Sequence, residues 1–217
     1  MAFYGIVEKN VKTELGIDDQ RMVKEMKTDL GAKTLLYPTP VLVVATYDGK
    51  GNPDAMTAAW GGICCSDPPC VTVSVRKARL TYDNLMETKA YTINVPGKEH
   101  IREADYFGIY SGKDEDKFAA TGLTPVKSER VNAPYIEEFP LNLECKVVHV
   151  IDLGAHTQFI GEVVNVKADS SLVGNNQQKP MIEQIMPLIF APNSGNYYTI
   201  GEETGKAFSI GKELKTP

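Results

Sequence analysis

The sequence has no hydrophobic run approaching the roughly 18 residues that a membrane-spanning helix requires. It also has no excess of positive charge, because 23 Lys and Arg stand against 28 Asp and Glu, giving a net charge of −5. Non-specific nucleic-acid binding needs a basic face, so this balance argues against it. The opening stretch, MAFYGIVEKNVK, has too short an apolar part and too much charge for a secretory signal. We therefore expect neither a membrane nor a nucleic acid as a partner.

Cysteine is scarce, and its four residues are Cys64, Cys65, Cys70 and Cys145. Adjacent Cys64 and Cys65 cannot pair without strain, which argues against a secreted disulfide framework and favours a reducing cytoplasm. The spacing offers neither the paired CxxC motifs of a zinc site nor a redox CxxC, so we predict no metal site. We interpret the cysteines as buried small apolar residues, with a reactive free thiol as the alternative.

Several catalytic signatures are missing as well. The sequence contains no GxGxxG, P-loop, GxSxG or HExxH motif. It therefore carries no signature of a Rossmann nucleotide site, a serine hydrolase or a zinc protease. No motif identifies a catalytic residue.

The 217 residues are enough for one sizeable core, and their patterning divides into two parts. Residues 1–30 are an N-terminal extension, in which Met22, Val23 and Met26 at helical spacing before Gly31 predict a short amphipathic helix. Residues 31–217 form the main domain. Its β-branched and alternating segments, separated by turn residues, predict at least six strands: 41–48, 54–60, 70–76, 90–95, 141–151 and 157–166.

The strands are not joined by regularly alternating helices, so we predict a mainly β domain built as an antiparallel barrel with a few short helices. One helix is predicted over residues 81–89, with Thr81 as its N-cap. Residues 98–121 are charged and favour helix, with breaks at Gly108 and Gly112.

The first candidate ligand contact is Trp60, the only tryptophan, which follows the small-residue run Ala55-Met56-Thr57-Ala58-Ala59. Small side chains let the backbone approach a flat ligand closely, and an indole beside free backbone groups suits a planar heteroaromatic ring. The alternative is a core tryptophan in a tightly packed barrel.

Two polar features are further candidates. The segment Arg76-Lys77-Ala78-Arg79-Leu80-Thr81 places three cations and a hydroxyl where a strand gives way to a helix, which suits a phosphate. A solvated charged turn is the alternative, since charge runs are usually surface. His156 follows Gly154-Ala155 at a strand start, a place from which side chains reach ligands. A structural or merely exposed histidine is the alternative there.

Five segments carry a joint pattern: PTPVLVVATYD, NPDAMTAAWGG, SDPPCVTVSVRKARLTYDN, YTINVP and HTQFIGEVVNV. Together they resemble the flavin reductase-like FMN-binding split-barrel family, over about residues 30–215. The resemblance implies a Greek-key split β-barrel that forms a homodimer. It also implies FMN bound tightly but non-covalently near the subunit interface.

The resemblance further implies which residues contact the cofactor. They are Met56, Thr57, Ala58, Ala59 and Trp60 at the isoalloxazine ring, Arg76, Lys77 and Thr81 at the phosphate and ribityl chain, and Lys117, His156 and Phe190 beside the flavin. Asp54 stands where relatives usually have asparagine near the flavin edge. A carboxylate facing that edge would disfavour a negatively charged reduced flavin, whereas a carboxylate turned away would not.

By resemblance, the expected activity is that of an FMN-dependent oxidoreductase, transferring electrons between a reduced donor and an acceptor. A redox protein or NAD(P)H would be the partner, and FMN would carry the chemistry. Two alternatives stay open: an NAD(P)H:flavin reductase that releases reduced flavin, and a module that binds FMN without turnover.

Overall fold

The computed structural model describes residues 27–173 and 181–215. The chain divides into two compact units, residues 1–34 and residues 35–217. In the first unit, residues 27–34 form no helix or strand. The helix predicted before Gly31 lies outside the described residues except for its last four, residues 27–30, which are not helical. The separate extension over residues 1–30 stays a prediction.

Strands dominate the described part of the second unit. The strands are Thr39–Pro40 (β1), Leu42–Tyr47 (β2), Pro53–Ala58 (β3), Gly61–Ser66 (β4), Pro69–Arg76 (β5), Ala90–Val95 (β6), Pro125–Lys127 (β7), Pro134–Ile136 (β8), Leu141–Asp152 (β9), His156–Ala168 (β10), Leu188–Ala191 (β11) and Asn196–Thr199 (β12).

The helices are short. The α-helices are Leu80–Thr88 (α1), Ile101–Ile109 (α2), Lys117–Thr121 (α3) and Ile182–Ile185 (α4), and the 3₁₀ turns are Lys98–His100, Ser170–Leu172 and Ile210–Leu214. None of the helices in residues 27–173 and 181–215 combines the length and apolarity needed to cross a membrane.

Seven strands form one sheet in the order β3-β2-β6-β9-β10-β5-β4, and every neighbouring pair is antiparallel. Two smaller sheets accompany it, one in the order β1-β11-β12 and one made of β7 and β8. The predicted mainly β, antiparallel architecture is confirmed. Strands β3 and β4 are the two edges of the large sheet, although only Ala59 and Trp60 separate them in sequence.

The β2 strand is buried on both faces, which explains its unbroken apolar run. Leu42 and Val44 belong to the core enclosed by the large sheet, whereas Val43 and Ala45 face the second core formed with α2 and α3. Along β5 only one face is apolar, so valine alternates with polar residues there. Helices α2 and α3 therefore cover the outer face of the sheet at its β3 end.

Two predicted element boundaries are wrong. The strand expected over residues 54–60 ends at Ala58, and Gly61–Ser66 forms β4, which the sequence did not indicate. Gly108 does not break a helix but lies inside α2. A Cβ atom at Gly108 would lie 3.4 Å from Cβ of Thr57, so the glycine permits close packing of α2 on β3.

The predicted N-cap role of Thr81 is also wrong. Helix α1 begins at Leu80, and Arg79 is the N-cap residue, with an extended backbone and no side-chain cap. The Thr81 hydroxyl donates instead to the Asp54 carboxylate, because that buried charged oxygen is a stronger acceptor than solvent.

Candidate functional site

The polar centre of the candidate site is a buried trio made of Asp54 on β3, Thr81 in α1 and Lys117 at the start of α3. Oγ1 of Thr81 donates to Oδ2 of Asp54 at 2.8 Å, and Nζ of Lys117 lies 3.2 Å from Oδ1 of Asp54. The Asp54 and Lys117 side chains are only 6% and 3% exposed. Both carboxylate oxygens are therefore occupied, and an ammonium balances the charge. The Asp54 carboxylate is directed at Thr81 and Lys117.

Lys117 is held by more than its ion pair. Its ammonium also donates to the carbonyl oxygen of Ala55 and lies 5.9 Å from the centre of the Phe107 ring. Burial lowers the pKa of Lys117 from its ordinary value, and the nearby Asp54 carboxylate opposes that shift. The ammonium thus ties α3 to the backbone of β3.

The contact between Lys117 and Ala55 shows which backbone groups of β3 are free. The Ala55 carbonyl points away from β2, because it accepts from Lys117. In an antiparallel ladder, alternate residues turn their N–H and C=O groups to the same side. The backbone groups of Thr57 therefore also point to the unpaired edge, since β3 ends the large sheet. The Ala55 carbonyl is taken by Lys117, so the Ala55 N–H and the backbone groups of Thr57 are those that the sheet leaves unpaired beside the buried trio.

A short segment, residues 110–116, closes over the trio. Gly112 lies so near that a Cβ atom there would be 2.1 Å from Oδ1 of Asp54. The Tyr106 hydroxyl donates to Glu115 at 2.7 Å, and this bond, with burial, raises the pKa of Tyr106 to about 12. Sequence reasoning treated Gly112 only as a helix break, because nothing in the sequence indicates its contact with Asp54.

The basic segment lies at the N-terminus of α1, as expected, but its three cations differ in their contacts. Arg76 is exposed, and Lys77 forms an exposed ion pair with Asp152 at 2.6 Å. Nη2 of Arg79 donates to the Gly108 carbonyl at 3.1 Å, a contact that sequence reasoning missed. Helix α1 has no side-chain cap, and the Tyr82 N–H donates to the Arg79 carbonyl, so the N–H groups of Leu80 and Thr81 are those left for an anion.

Trp60 and His156 lie at the same corner of β5 as this segment. His156 is the cross-strand partner of Arg76. The Trp60 carbonyl accepts from the Ser74 N–H at 2.8 Å, two residues before Arg76. The Trp60 and His156 side chains are each half-buried. The structure therefore brings together three predicted site residues that are far apart in sequence.

The side chains between Asp54 and Trp60 have divided roles. Met56 and Ala58 point into the core within the large sheet and are 8% and 6% exposed. The Thr57 hydroxyl donates to the Ala104 carbonyl of α2. Ala59 is half-buried. The Met56 and Ala58 side chains are therefore not available to a ligand.

Phe190 lies apart from these residues, in the three-stranded sheet. It pairs with Thr39 of β1, and its ring centre is 5.5 Å from that of Tyr197. It lines a cavity of about 410 Å³ together with Tyr37 and Tyr198, among others. The structure does not place Phe190 in the trio around Asp54.

The interpretation of the cysteines as buried residues is half wrong. Cys70 and Cys145 are buried, but Cys64 and Cys65 are exposed on β4. The β4 edge is uncovered there, because all four residues from Ile63 to Ser66 are exposed. In the described part of the chain, no group of three or more His, Cys, Asp or Glu side chains is arranged to hold a metal ion.

The chain matches the model of a known protein family. The family model for the flavin reductase like domain matches residues 34–200. The chain belongs to this flavin reductase-like family. The match covers the large sheet and every predicted site residue, including Phe190, so the predicted family and its split-barrel fold are confirmed.

Two flavoredoxins with solved structures are similar to this chain over their whole length. Flavoredoxin of Desulfovibrio vulgaris (Miyazaki F) is 53% identical, with 86% of this chain and all (100%) of that chain covered and a TM-score of 0.81. Flavoredoxin of Methanosarcina acetivorans is 27% identical, with 88% and 100% covered and a TM-score of 0.79.

One relative is named as the reductase component of a monooxygenase. The reductase component of the flavin-dependent trigonelline monooxygenase of Acinetobacter baylyi is 29% identical over 149 residues. These residues are 69% of this chain and 45% of that protein.

Proposed function

We propose that this protein is an FMN-dependent oxidoreductase of the flavoredoxin type, which transfers electrons between a reduced donor and an acceptor through bound FMN. Family membership and the 53% identity to a flavoredoxin support this class. The observation that carries the proposal is the free backbone edge of β3, which lies beside the uncapped N-terminus of α1. A planar ring with hydrogen-bonding edges suits the former, and a phosphate suits the latter.

The isoalloxazine ring would lie along the β3 edge. The Ala55 N–H and the N–H and C=O groups of Thr57 suit the polar edge of the ring, whereas the Ala55 carbonyl is already bound by Lys117. Beyond the end of β3, the backbone of Ala59 continues this surface to Trp60. The Met56 and Ala58 side chains belong to the core, so they hold the strand in place and do not touch the ring.

The phosphate would lie at the start of α1, near Arg76 and Lys77. Both cations are exposed and at the correct end of the helix for an anion. The Thr81 hydroxyl already donates to Asp54, so Thr81 offers its backbone N–H and not its side chain. The residues present therefore fit a phosphate-bearing planar cofactor.

The electrostatics of the site are compatible with FMN, although a carboxylate at Asp54 was expected to disfavour a reduced flavin. The charge of this carboxylate is compensated by Lys117 at 3.2 Å, so the pair adds little net field at the β3 edge. Nearby cations and free N–H dipoles would stabilise negative charge on a reduced flavin. His156 from β10 and Phe190 from β11 are the remaining proposed contacts, and Phe190 would reach the flavin from the separate three-stranded sheet.

FMN supplies the chemistry when bound, since it accepts and donates one or two electrons. The chain orients the cofactor, compensates its charge and limits water at the closed β3 edge. No side chain is needed to move a proton in an electron transfer of this kind.

A visible absorption spectrum of the purified protein tests the cofactor. We expect the yellow colour and the band near ~450 nm typical of flavins. Flavin released by heat and separated by chromatography should be FMN. A colourless protein that takes up neither FMN nor any other flavin contradicts the proposal.

An NAD(P)H:flavin reductase is the second candidate, favoured by the likeness to the monooxygenase reductase component. Anaerobic mixing of the FMN-loaded protein with NADH or NADPH separates the two. Rapid bleaching of the flavin band identifies a flavin reductase. Bleaching only by a reduced carrier protein identifies an electron-transfer protein, and no exchange with either identifies a binding module.

We also propose that the protein is a homodimer. The tip of the β9–β10 hairpin exposes four apolar side chains, Val148, Val150, Ile151 and Leu153, at 43%, 39%, 43% and 59%. Such a cluster at a sheet end suits a contact with a second copy of the chain. Sedimentation of wild type and of Ile151→Glu tests this, because the charged variant should be monomeric.

Residues 31–217 constitute the proposed flavin-binding domain, and residues 1–30 the proposed extension. A cytoplasmic location is part of the proposal, because Cys64 and Cys65 are exposed free thiols that a reducing compartment preserves.

A further inference from the structure

The β4–β5 hairpin carries three cysteines that the proposed FMN site does not use. The two strands are joined by a two-residue turn, Asp67-Pro68. Cys65 of β4 is the direct cross-strand partner of Cys70 of β5. A register shift lies between Ile63 and Cys65, where β4 has one residue more than β5. In such a bulge two residues of one strand oppose one residue of the other, so Cys64 and Cys65 both oppose Cys70.

Cross-strand partners lie at a distance that a disulfide spans. Directly opposed residues of an antiparallel pair have Cα atoms about 4.5–5.5 Å apart. Disulfides join Cα atoms that are roughly 4.4–6.8 Å apart. Cys65 and Cys70 therefore need no strand movement to approach. The Cys65 thiol lies 3.4 Å from the Asp67 carbonyl oxygen and has to leave this contact to reach Cys70.

The two thiols differ in access. Cys65 is exposed, on an uncovered stretch of β4, whereas Cys70 is 7% exposed. Burial raises the pKa of the Cys70 thiol from its ordinary value, and Cys65, Cys64 and Glu162 add to the shift. The thiolate is the attacking form, so a dissolved disulfide reacts first with Cys65. Cys70 is protected from that first attack and is placed for the second.

We propose that Cys65 and Cys70 form a reversible cross-strand disulfide, which makes this hairpin a thiol–disulfide exchange site for low-molecular-weight disulfides. The Cys65 thiolate attacks one sulfur of the dissolved disulfide, forming a mixed disulfide and releasing the first thiol. The Cys70 thiolate then attacks Sγ of Cys65, and the second thiol leaves. The protein loses two electrons and two protons, and the dissolved disulfide is reduced to two thiols.

This site is independent of the proposed function. It requires neither FMN nor any residue of the trio around Asp54. Cys145, the remaining cysteine, is fully buried on β9 and pairs across the sheet with Val163 and Tyr91. It therefore serves as an internal reference thiol that should stay reduced.

Glutathione disulfide is the probe. The full-length protein is incubated with it under argon, quenched with acid, and measured by intact mass and by peptide mapping. Peptide mapping should show Cys65 linked to Cys70, with the loss of two hydrogen atoms and without glutathione on either of these two residues. Reduction with dithiothreitol should restore the original mass.

Three single variants assign the roles. Cys70→Ser should stop at the mixed disulfide and keep one glutathione on Cys65, and Cys65→Ser should lose the internal disulfide. Cys64→Ser is the matched control, because the neighbouring exposed thiol is removed, and it should react like wild type. The peptide map of the wild-type protein tests the proposed disulfide even if a variant folds poorly. Unreacted protein, glutathione adducts without ring closure, or a link from Cys64 to Cys70 would overturn the proposal.

Discussion

The two edges of the large sheet, β3 and β4, are almost adjacent in sequence and opposite in character. Four of the six β3 residues are buried, and α2, α3 and residues 110–116 lie against this strand. The last four residues of β4 are all exposed. An uncovered edge presents unpaired backbone groups, which proteins usually protect. The covered edge therefore suits a cofactor that must be kept from water, and the open edge suits exchange with dissolved partners.

The largest expected effect follows from breaking the buried ion pair at the covered edge. In Lys117→Met the Asp54 carboxylate loses its ammonium while staying buried, which costs about 3–5 kcal/mol of unfolding free energy. Urea denaturation measures it. Ile63→Ala on the open edge is the control, since its side chain is 86% exposed and the change should stay within about 0.5 kcal/mol. Equal stability of the two variants would show that the trio does not support β3.

Adding Asp54→Asn to Lys117→Met sharpens the same point. The double variant no longer buries an unpaired charge, so it should regain part of the stability lost in the single variant. If the double variant is less stable than the single one, the ion pair is not the reason for the loss.

A pair of glycine variants compares the space at the two edges. In Gly112→Ala the new Cβ atom would lie 2.1 Å from Oδ1 of Asp54 and 2.9 Å from Cδ2 of Leu80, so we expect a loss of about 1–3 kcal/mol. A Cβ atom at Gly62 of β4 would meet nothing within 4 Å. Gly62→Ala should therefore unfold like wild type. Thermal denaturation of both variants checks the difference.

Substitutions at the corner of β5 should change the affinity for flavin, whereas substitutions at the open edge should not. Trp60→Ala removes a ring contact and His156→Ala a polar contact, and each should raise the FMN dissociation constant about tenfold, or about 1.4 kcal/mol. Fluorescence titration of flavin-free protein gives these constants. Ile63→Ala should leave the constant unchanged. Equal flavin occupancy in all three variants after gel filtration would remove Trp60 and His156 from the site.

The smallest effect is expected at Lys77. Its ion pair with Asp152 is exposed, so Lys77→Ala should not measurably change stability. It should weaken FMN binding slightly at low salt, because one cation near the phosphate is lost, and the difference should vanish at high salt. Titrations at two salt concentrations measure this. A salt-independent difference would show that Lys77 acts through a direct packed contact.

The sequence predicted those features that depend on local pattern. The apolar run of β2 and the alternating valines of β5 both produced strands where expected, because side-chain periodicity follows from strand geometry. The edge strand β4 was missed, because its GGICCS sequence has little β-branched character and is almost entirely exposed. Its glycines and cysteines therefore gave no strand pattern.

The polar contacts of the site could not be predicted in the same way. Thr81 has the pattern of an N-cap, but its hydroxyl donates to Asp54, which lies 27 residues earlier in the chain. Arg79 and Gly108 meet only after α1 and α2 have packed on the sheet. These contacts depend on tertiary packing and not on spacing. The resemblance indicated Lys117, but only the structure shows that it neutralises Asp54.

A crystal structure of the protein with FMN tests the central claim most directly. We expect the isoalloxazine ring along the free edge of β3, beside Ala55 and Thr57, and the phosphate at the N-terminus of α1. Asp54 should still be paired with Lys117. A flavin bound away from β3, for example in the surface cavity lined by Tyr135 and Lys167, would contradict the account.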